Sequence, residues 1–318
     1  MEVEEVQAPL VVSAILVSYN CAPALRRSLE ALERSSMRAA MEILVVDAGS
    51  RDESSRMDEE FPEITVLRLP RNFGLTKARN IGARTAKGEF LLFVEPDIEV
   101  EPDTVAGLAA RLQADPACVI ACPLLVDASG RPVSRIGELP APADLVRAWS
   151  RGECFSRVLP GSRPAPESAL EQGEILTSGP DPRAMLVRCQ FLRGMNYFDE
   201  KYGQFGSTLQ LLAQVETAGK KIVLLAAVKA LSREGEGLYR PETVAARADL
   251  AADCAAGIVR YARYFGWQRA LALRLKILAL AAVRALGALL TLREPAFHLG
   301  VLSRLLAGFK IDGAQTGF

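Results

Sequence analysis

The residues of this chain that could do chemistry are carboxylates and asparagines at the ends of apolar runs. Asp47 follows "EILVV", and Glu95-Pro96-Asp97 follows "EFLLF" and Val94. Asn20 closes "ILVSYN", and Asn72, Gly74 and Arg79 fall in "RNFGLTKAR". A carboxylate in such a place can accept hydrogen bonds, hold a hard cation or take up a proton. Taken singly, it can also do no more than cap a helix. Other chemistries lack their residues. His298 is the only histidine and lies in the tail, which disfavours Ser-His-Asp and Cys-His relays. The six cysteines form no C-x-x-C pair, so a zinc site or disulfide framework is not expected and a reducing cytoplasm is. No G-x-G-x-x-G follows the first apolar run, and there is no G-x-x-x-x-G-K-[ST] or G-x-S-x-G. Dinucleotide oxidoreductases, P-loop NTPases and α/β-hydrolases are thereby disfavoured.

The elements that must position these residues alternate. Near-continuous apolar runs at 11–19, 41–49, 64–69, 89–95 and 118–126 read as strands buried on both faces. Between them lie helical patterns: one opened by Pro23, one after a capping-box-like Ser50-Arg51-Asp52-Glu53, "GLTKARNIGARTAKG" up to Gly88, and "DTVAGLAARLQAD". This order predicts an α/β fold with a mostly parallel central sheet and helices on both faces. Ligands of such sheets bind beyond the carboxyl ends of the strands, where Asp47 and Asp97 sit. Residues 127–182 hold eight of the 18 prolines and read as a loop-rich surface excursion. "AMLVRCQFL" resumes regular structure, 220–231 reads as a last strand, and from about 241 the pattern is helical only. The expected division is therefore 1–240 and a helical extension, 241–318.

Bulk composition sets limits. Half of the 318 residues are hydrophobic and 24% charged, so a packed core is expected. Basic and acidic residues balance at 38 each, which argues against a nucleic-acid partner. The start, "MEVEEVQAPL", is acidic and lacks the basic region of a signal peptide. Between Arg269 and Arg293 stand five basic residues and no acidic one, among many leucines. No uncharged run there reaches the roughly 18 residues of a spanning helix. The reading is either an interfacial helix on an anionic membrane surface, with 269–311 as the contact region, or a face packed on the rest of the chain or in a homodimer seam.

Four segments fall in a fixed order: "ILVSYN", "EILVVDAGSRD", "RNFGLTKARNIGARTAKGEFLLFVEPDIEVEPD" and "AMLVRCQFLRGMNYFDEKY". Together, over about residues 11–232, they resemble family 2 glycosyltransferases of the GT-A fold, particularly the rhamnosyltransferase-like members. The resemblance implies a nucleotide diphosphate sugar as donor and Mg²⁺ or Mn²⁺ to neutralise the departing diphosphate. It implies that Asp97 is the metal-binding aspartate, with Glu95 in the first place of the triplet. Asp47 would accept the ring N–H of the nucleotide base, and Arg79 would meet phosphate or the carbonyl edge of the base. Asn20, Asn72 and Gly74 would shape the surrounding loops. The acceptor implied is a hydroxyl of a polysaccharide or lipid-linked glycan, as in cell-envelope synthesis on the cytoplasmic face of a membrane.

One part of the pattern departs. After "FDE" the family continues to a Glu-Asp pair whose aspartate is the general base of an inverting transfer, then a further aspartate and an arginine. Here those places hold Ser207, Thr208, Gln210 and Gln214. A threonine hydroxyl cannot take up a proton at neutral pH, and losing a general base costs about a hundredfold to ten-thousandfold in rate. Three alternatives stand: a base drawn from Glu216, Asp199, Glu200, Glu174 or Asp181; an acceptor that needs little activation; or a degenerate relative that binds a nucleotide sugar or a partner enzyme without transfer.

Overall fold

The computed structural model describes residues 11–152, 162–166, 171, 173–233 and 243–307. In chain order the elements are β1 (Val12–Ser18), α1 (Ala22–Glu33), β2 (Met41–Asp47), α2 (Met57–Glu60), β3 (Thr65–Arg68), α3 (Leu75–Thr85), β4 (Phe90–Val94), β5 (Ile98–Val100), α4 (Thr104–Ala114) and β6 (Cys118–Val126). They continue with β7 (Arg135–Ile136), α5 (Pro142–Ser150), β8 (Arg163–Pro164), β9 (Glu174–Leu176), β10 (Ala184–Arg188), α6 (Cys189–Gly194), α7 (Gly203–Thr217), β11 (Lys221–Ser232), α8 (Val244–Tyr261), α9 (Trp267–Thr291) and α10 (Pro295–Leu306).

The main sheet runs β3-β2-β1-β4-β10-β6-β11-β5, with β9 on β11. The β3-β2-β1-β4 half is parallel, as the alternating pattern predicts. The other half is mixed: β10 lies antiparallel between β4 and β6, and β5 and β9 are antiparallel to β11. β1, β4 and β6 are buried along their whole length, which is why their sequences show no alternation. Pro123 sits inside β6, where a proline is tolerated only at an irregularity. The register against β11 jumps at that point, from Leu225–Pro123 to Lys229–Leu124.

Two expectations change. The pattern at 50–53 is not a capping box. Asp52 instead caps the short 53–56 turn by accepting from Ser54 N at 3.0 Å, and its other oxygen accepts from Ala22 N at the start of α1. Glu53 turns outward to Arg26. The excursion 127–182 is not all loop. Its helix α5 buries Leu145, Val146 and Trp149 in a core shared with α7, α8, α9 and α10, and Trp149 Nε1 donates to the Ala251 carbonyl at 2.8 Å. Residues 244–306 are helical, in line with the reading of the tail.

Candidate active site

Parallel register puts the carboxyl ends of β2, β1 and β4 side by side. Asp47 and the turn after β4 therefore flank the end of β1, two strand spacings or about 10 Å apart. On the β2 side Asp47 is buried at the pairing position opposite Ser18. It accepts from Ser18 Oγ at 3.3 Å and from the Gly49 and Ser50 amides at 3.1 Å each. Gly49 has φ +79°, and a side chain there would meet the Arg71 backbone at 2.9 Å. Only glycine lets the 47–50 and 70–74 loops approach this closely. Asn20, in the left-handed region at φ 50°, takes Arg51 N on its Oδ1 at 2.8 Å, and its own amide donates to Ser50 Oγ at 3.0 Å. Asn72 Oδ1 accepts from Gly74 N at 2.9 Å and so sets the turn into α3. Arg71 and Lys77 both lie over the Phe73 ring, at 4.9 and 4.8 Å.

On the β4 side, Glu95-Pro96-Asp97-Ile98 is a tight turn closed by Ile98 N on the Glu95 carbonyl. Glu95 and Asp97 are both buried. Arg79 of α3 is buried too, with Nη2 at 3.6 Å from Glu95 Oε1 and Nη1 donating to Thr208 Oγ1 at 3.4 Å. Arg79 thus makes an internal bridge from β4 to α7. A second guanidinium was not singled out from the sequence. Arg183, just before β10, is held by Asp181 through Nε and Nη2 at 2.9 and 2.8 Å and by Ser232 Oγ at 2.9 Å. Burial works against its charge, but the Asp181 hydrogen bonds and then the Glu95 and Asp97 charges raise its pKa above the ordinary value. The only signal in the sequence was a charged pair in "DPR" immediately before an apolar run.

The start of α7 closes the site. Phe198 packs edge-on against Phe93 at 5.2 Å, and its backbone is clasped by the Asn80 side chain, 2.8 Å to its carbonyl and 3.0 Å from its amide. Asn80 also donates to Glu200, and Asp199 caps the 200–202 turn. Thr76, also missed by sequence reasoning, lies 2.8 Å from both the Gly203 carbonyl and Ser207 Oγ. Gly203 has φ +71°, and a side chain there would collide with the buried Asp253 of α8. Thr208 is buried and accepts from a guanidinium, so it presents no base. Gln210 Oε1 is buried without a hydrogen-bond partner among the described residues.

The substitute bases do not gather at Thr208. Glu216 is exposed, two turns farther along α7, where its charge helps burial hold the Tyr261 hydroxyl up at about 12. Gln214 donates to the Tyr264 hydroxyl at 2.8 Å. Glu174 is taken by Arg111 in a two-point pair at 2.6 and 2.8 Å, which holds its carboxyl below the usual range. Asp181 is engaged by Arg183, and His298 lies on α10 against Phe297, away from these residues.

This geometry can be set beside known proteins. Residues 13–155 match the family described as glycosyl transferase family 2. That part of the chain is similar to family 2 glycosyltransferases. The match takes in Asp47, Arg79, Glu95 and Asp97 and stops short of α7. EpsH of Bacillus subtilis is 35% identical over 95 residues, 29% of this chain and 27% of that protein. An uncharacterised glycosyltransferase of Haemophilus influenzae is 36% identical over 86 residues, 27% of this chain and 29% of its own. The chain thus spans under a third of the length of these relatives. Among solved structures, S. aureus TarS 1-349 in complex with UDP-GlcNAc superposes with a TM-score of 0.52 at 16% identity, covering 94% of this chain and 91% of that one. The same protein in complex with UDP gives 0.51 at 17% over the same shares. These likenesses establish the GT-A-type fold, with the helical region after residue 243 included in the matched length.

Proposed function

We propose that the chain binds a nucleotide diphosphate sugar across the ends of β2, β1 and β4 and transfers the sugar, with inversion, to a hydroxyl of a polysaccharide or lipid-linked glycan. The observation that carries this reading is the pair of buried acidic positions, Asp47 and Glu95-Pro96-Asp97, on either side of β1 at the carboxyl edge of the parallel half-sheet. A span of about 10 Å suits a nucleoside at one end and a diphosphate at the other. Asp47, with its orientation fixed by Gly49 and Ser50, is set to accept a ring N–H of the base.

Among the described residues no three His, Cys, Asp or Glu side chains gather as a metal cage. That fits Mg²⁺ or Mn²⁺, which are commonly held by one or two carboxylates with substrate phosphates and water as the other ligands. Asp97, with Glu95 behind it, would be the protein's share of that set, and the bound ion would neutralise charge on the departing diphosphate. Around these two carboxylates the chain supplies its own cations. Arg79 fixes Glu95, and Arg183, kept charged by Asp181, faces the same turn.

The acceptor side carries a second reading. Thr208 receives a hydrogen bond from Arg79, and Glu216 lies two turns away, so among the described residues of α7 no carboxylate stands at that place to deprotonate a hydroxyl. This supports either slow transfer driven by the donor side alone or a protein that holds a nucleotide sugar, or a partner enzyme, without turning over. Incubation with a panel of nucleotide sugars and Mn²⁺, reading nucleoside diphosphate release against binding, separates the two. Binding with release supports an enzyme, binding without release supports a retired one, and no binding refutes the donor site.

A further inference from the structure

Helix α9 presents an apolar face to the outside. Its inner face, Ala270, Ile277, Ala281, Ala285 and Ala288, is buried against the neighbouring helices. The opposite face carries Leu275, Val283, Leu286 and Leu290, which are 59–77% exposed. These positions recur at helical spacing over 15 residues, about 22 Å of axis. At the amino end Tyr264, Phe265 and Trp267 add exposed aromatic rings, of the kind that sit at a lipid–water boundary. Arg269, Lys276 and Arg293 are exposed along the same helix and just beyond it, and residues 267–293 contain no acidic side chain. Arg284, in the same basic stretch, turns inward and donates to the Ser150 carbonyl. No helix among the described residues is long and apolar enough to cross a membrane.

We infer that the outer face of α9 docks on an anionic lipid surface, lying in the plane of the headgroups. The charge pattern selects this occupant. A second copy laid on the same face would bring cations against cations with no acid in the helix to answer them. Anionic headgroups answer them directly, while the leucines enter the acyl boundary. The docked face also adjoins the acceptor side. Tyr264 takes a hydrogen bond from Gln214 of α7 and lies 6.4 Å, ring to ring, from Tyr202. Thr208 is six residues, about 9 Å, up the same helix from Gln214. On the transferase reading above, on which this clause alone rests, the acceptor hydroxyl belongs to a lipid-linked glycan delivered from that surface.

The test is co-sedimentation of the full chain with vesicles of phosphatidylcholine alone or mixed with phosphatidylglycerol, at low and raised salt, with the mass in solution measured by light scattering. Binding is expected to be at least about tenfold tighter to the anionic vesicles and to fall with added salt. Leu286→Glu with Leu290→Glu should abolish it, and Arg269→Glu with Lys276→Glu should remove the preference for anionic lipid. All four residues are surface positions, so the thermal transition and nucleoside diphosphate binding should stay unchanged, and the latter measurement keeps a failure of docking distinct from a failure of the donor site. Equal sedimentation of wild type and the Leu286/Leu290 variant, or a wild-type dimer that these substitutions split and that ignores vesicles, would overturn the inference.

Discussion

Thr208→Asp places a carboxylate where the resemblance to family 2 glycosyltransferases puts a general base, and the structure sets how much it can do. The new group would stand where Thr208 Oγ1 now accepts from Arg79 at 3.4 Å. At about 4 Å and an effective dielectric near 20, that attraction is worth roughly 4 kcal/mol. Taking a carboxylate into a site that is 5% exposed costs several kcal/mol. The two nearly cancel, so the unfolding free energy should change by no more than about 2 kcal/mol. The same guanidinium keeps the new carboxyl acidic and therefore a weak base. The gain in turnover should accordingly be about ten- to a hundredfold, the low end of what general bases contribute. The assay is nucleoside diphosphate release from a bound nucleotide sugar between pH 6 and 9, with Thr208→Asn as the uncharged control of equal size. Wild-type release should rise with pH as hydroxide substitutes for the side chain, and the Asp variant should flatten that slope. If Asp and Asn behave alike while donor affinity is intact, Thr208 does not face the reacting hydroxyl and the reasoning fails.

The remaining expectations concern the scaffold of the site. Arg183→Met leaves Asp181 buried without its partner and should cost about 3–5 kcal/mol in urea unfolding, most of it recovered when Asp181→Leu is added. Glu174→Gln should leave nucleoside diphosphate release unchanged, since Glu174 serves Arg111. Its effect on stability should be at most about 1 kcal/mol, because the Glu174 side chain is 36% exposed. That difference has a defined pH dependence. The folded-state pKa of Glu174 is depressed below the ordinary 4.5, so the contribution is complete above that value. It should vanish as pH falls through the depressed one, and thermal melts of the two proteins should then converge. Trp149→Ala should cost about 3–5 kcal/mol and loosen α8–α10 first, seen as faster amide exchange there, because Trp149 ties α5 to α8.

The strands and the donor-side carboxylates were legible because their signals are local. A strand buried on both faces must be continuously apolar, and β1, β4 and β6 are. Asp47 closes one such run, and Glu95 and Asp97 follow another, at the carboxyl ends where a parallel sheet places ligand contacts. The mixed direction of β10, β5 and β9 was not legible, since an apolar run carries no sign of its orientation. α5 was hidden by its flanking prolines, although Leu145, Val146 and Trp149 have helical spacing. The inward turn of Arg79 toward Glu95 and Thr208 was not legible, because an amphipathic helix does not reveal which of its cations is buried. Arg183 had a local signal in Asp181, but its third anchor, Ser232, and the close approach of Gly203 to Asp253 join residues far apart in sequence and could not be found from spacing. The departure at Ser207 and Thr208 was legible only against the family pattern, and the structure adds that the Arg79 guanidinium donates to Thr208.

The most direct test of the account is calorimetric titration of the full chain with UDP and GDP, with and without Mn²⁺, for wild type and Asp97→Asn. The substitution keeps the size of a buried side chain and removes its charge. The account predicts that at least one nucleotide binds wild type about tenfold or more tightly with Mn²⁺, and that Asp97→Asn binds it equally with and without the ion, at a level near that of metal-free wild type. An Asp97→Asn protein that keeps the full Mn²⁺ enhancement, or a wild type that binds neither nucleotide under any condition, would contradict it.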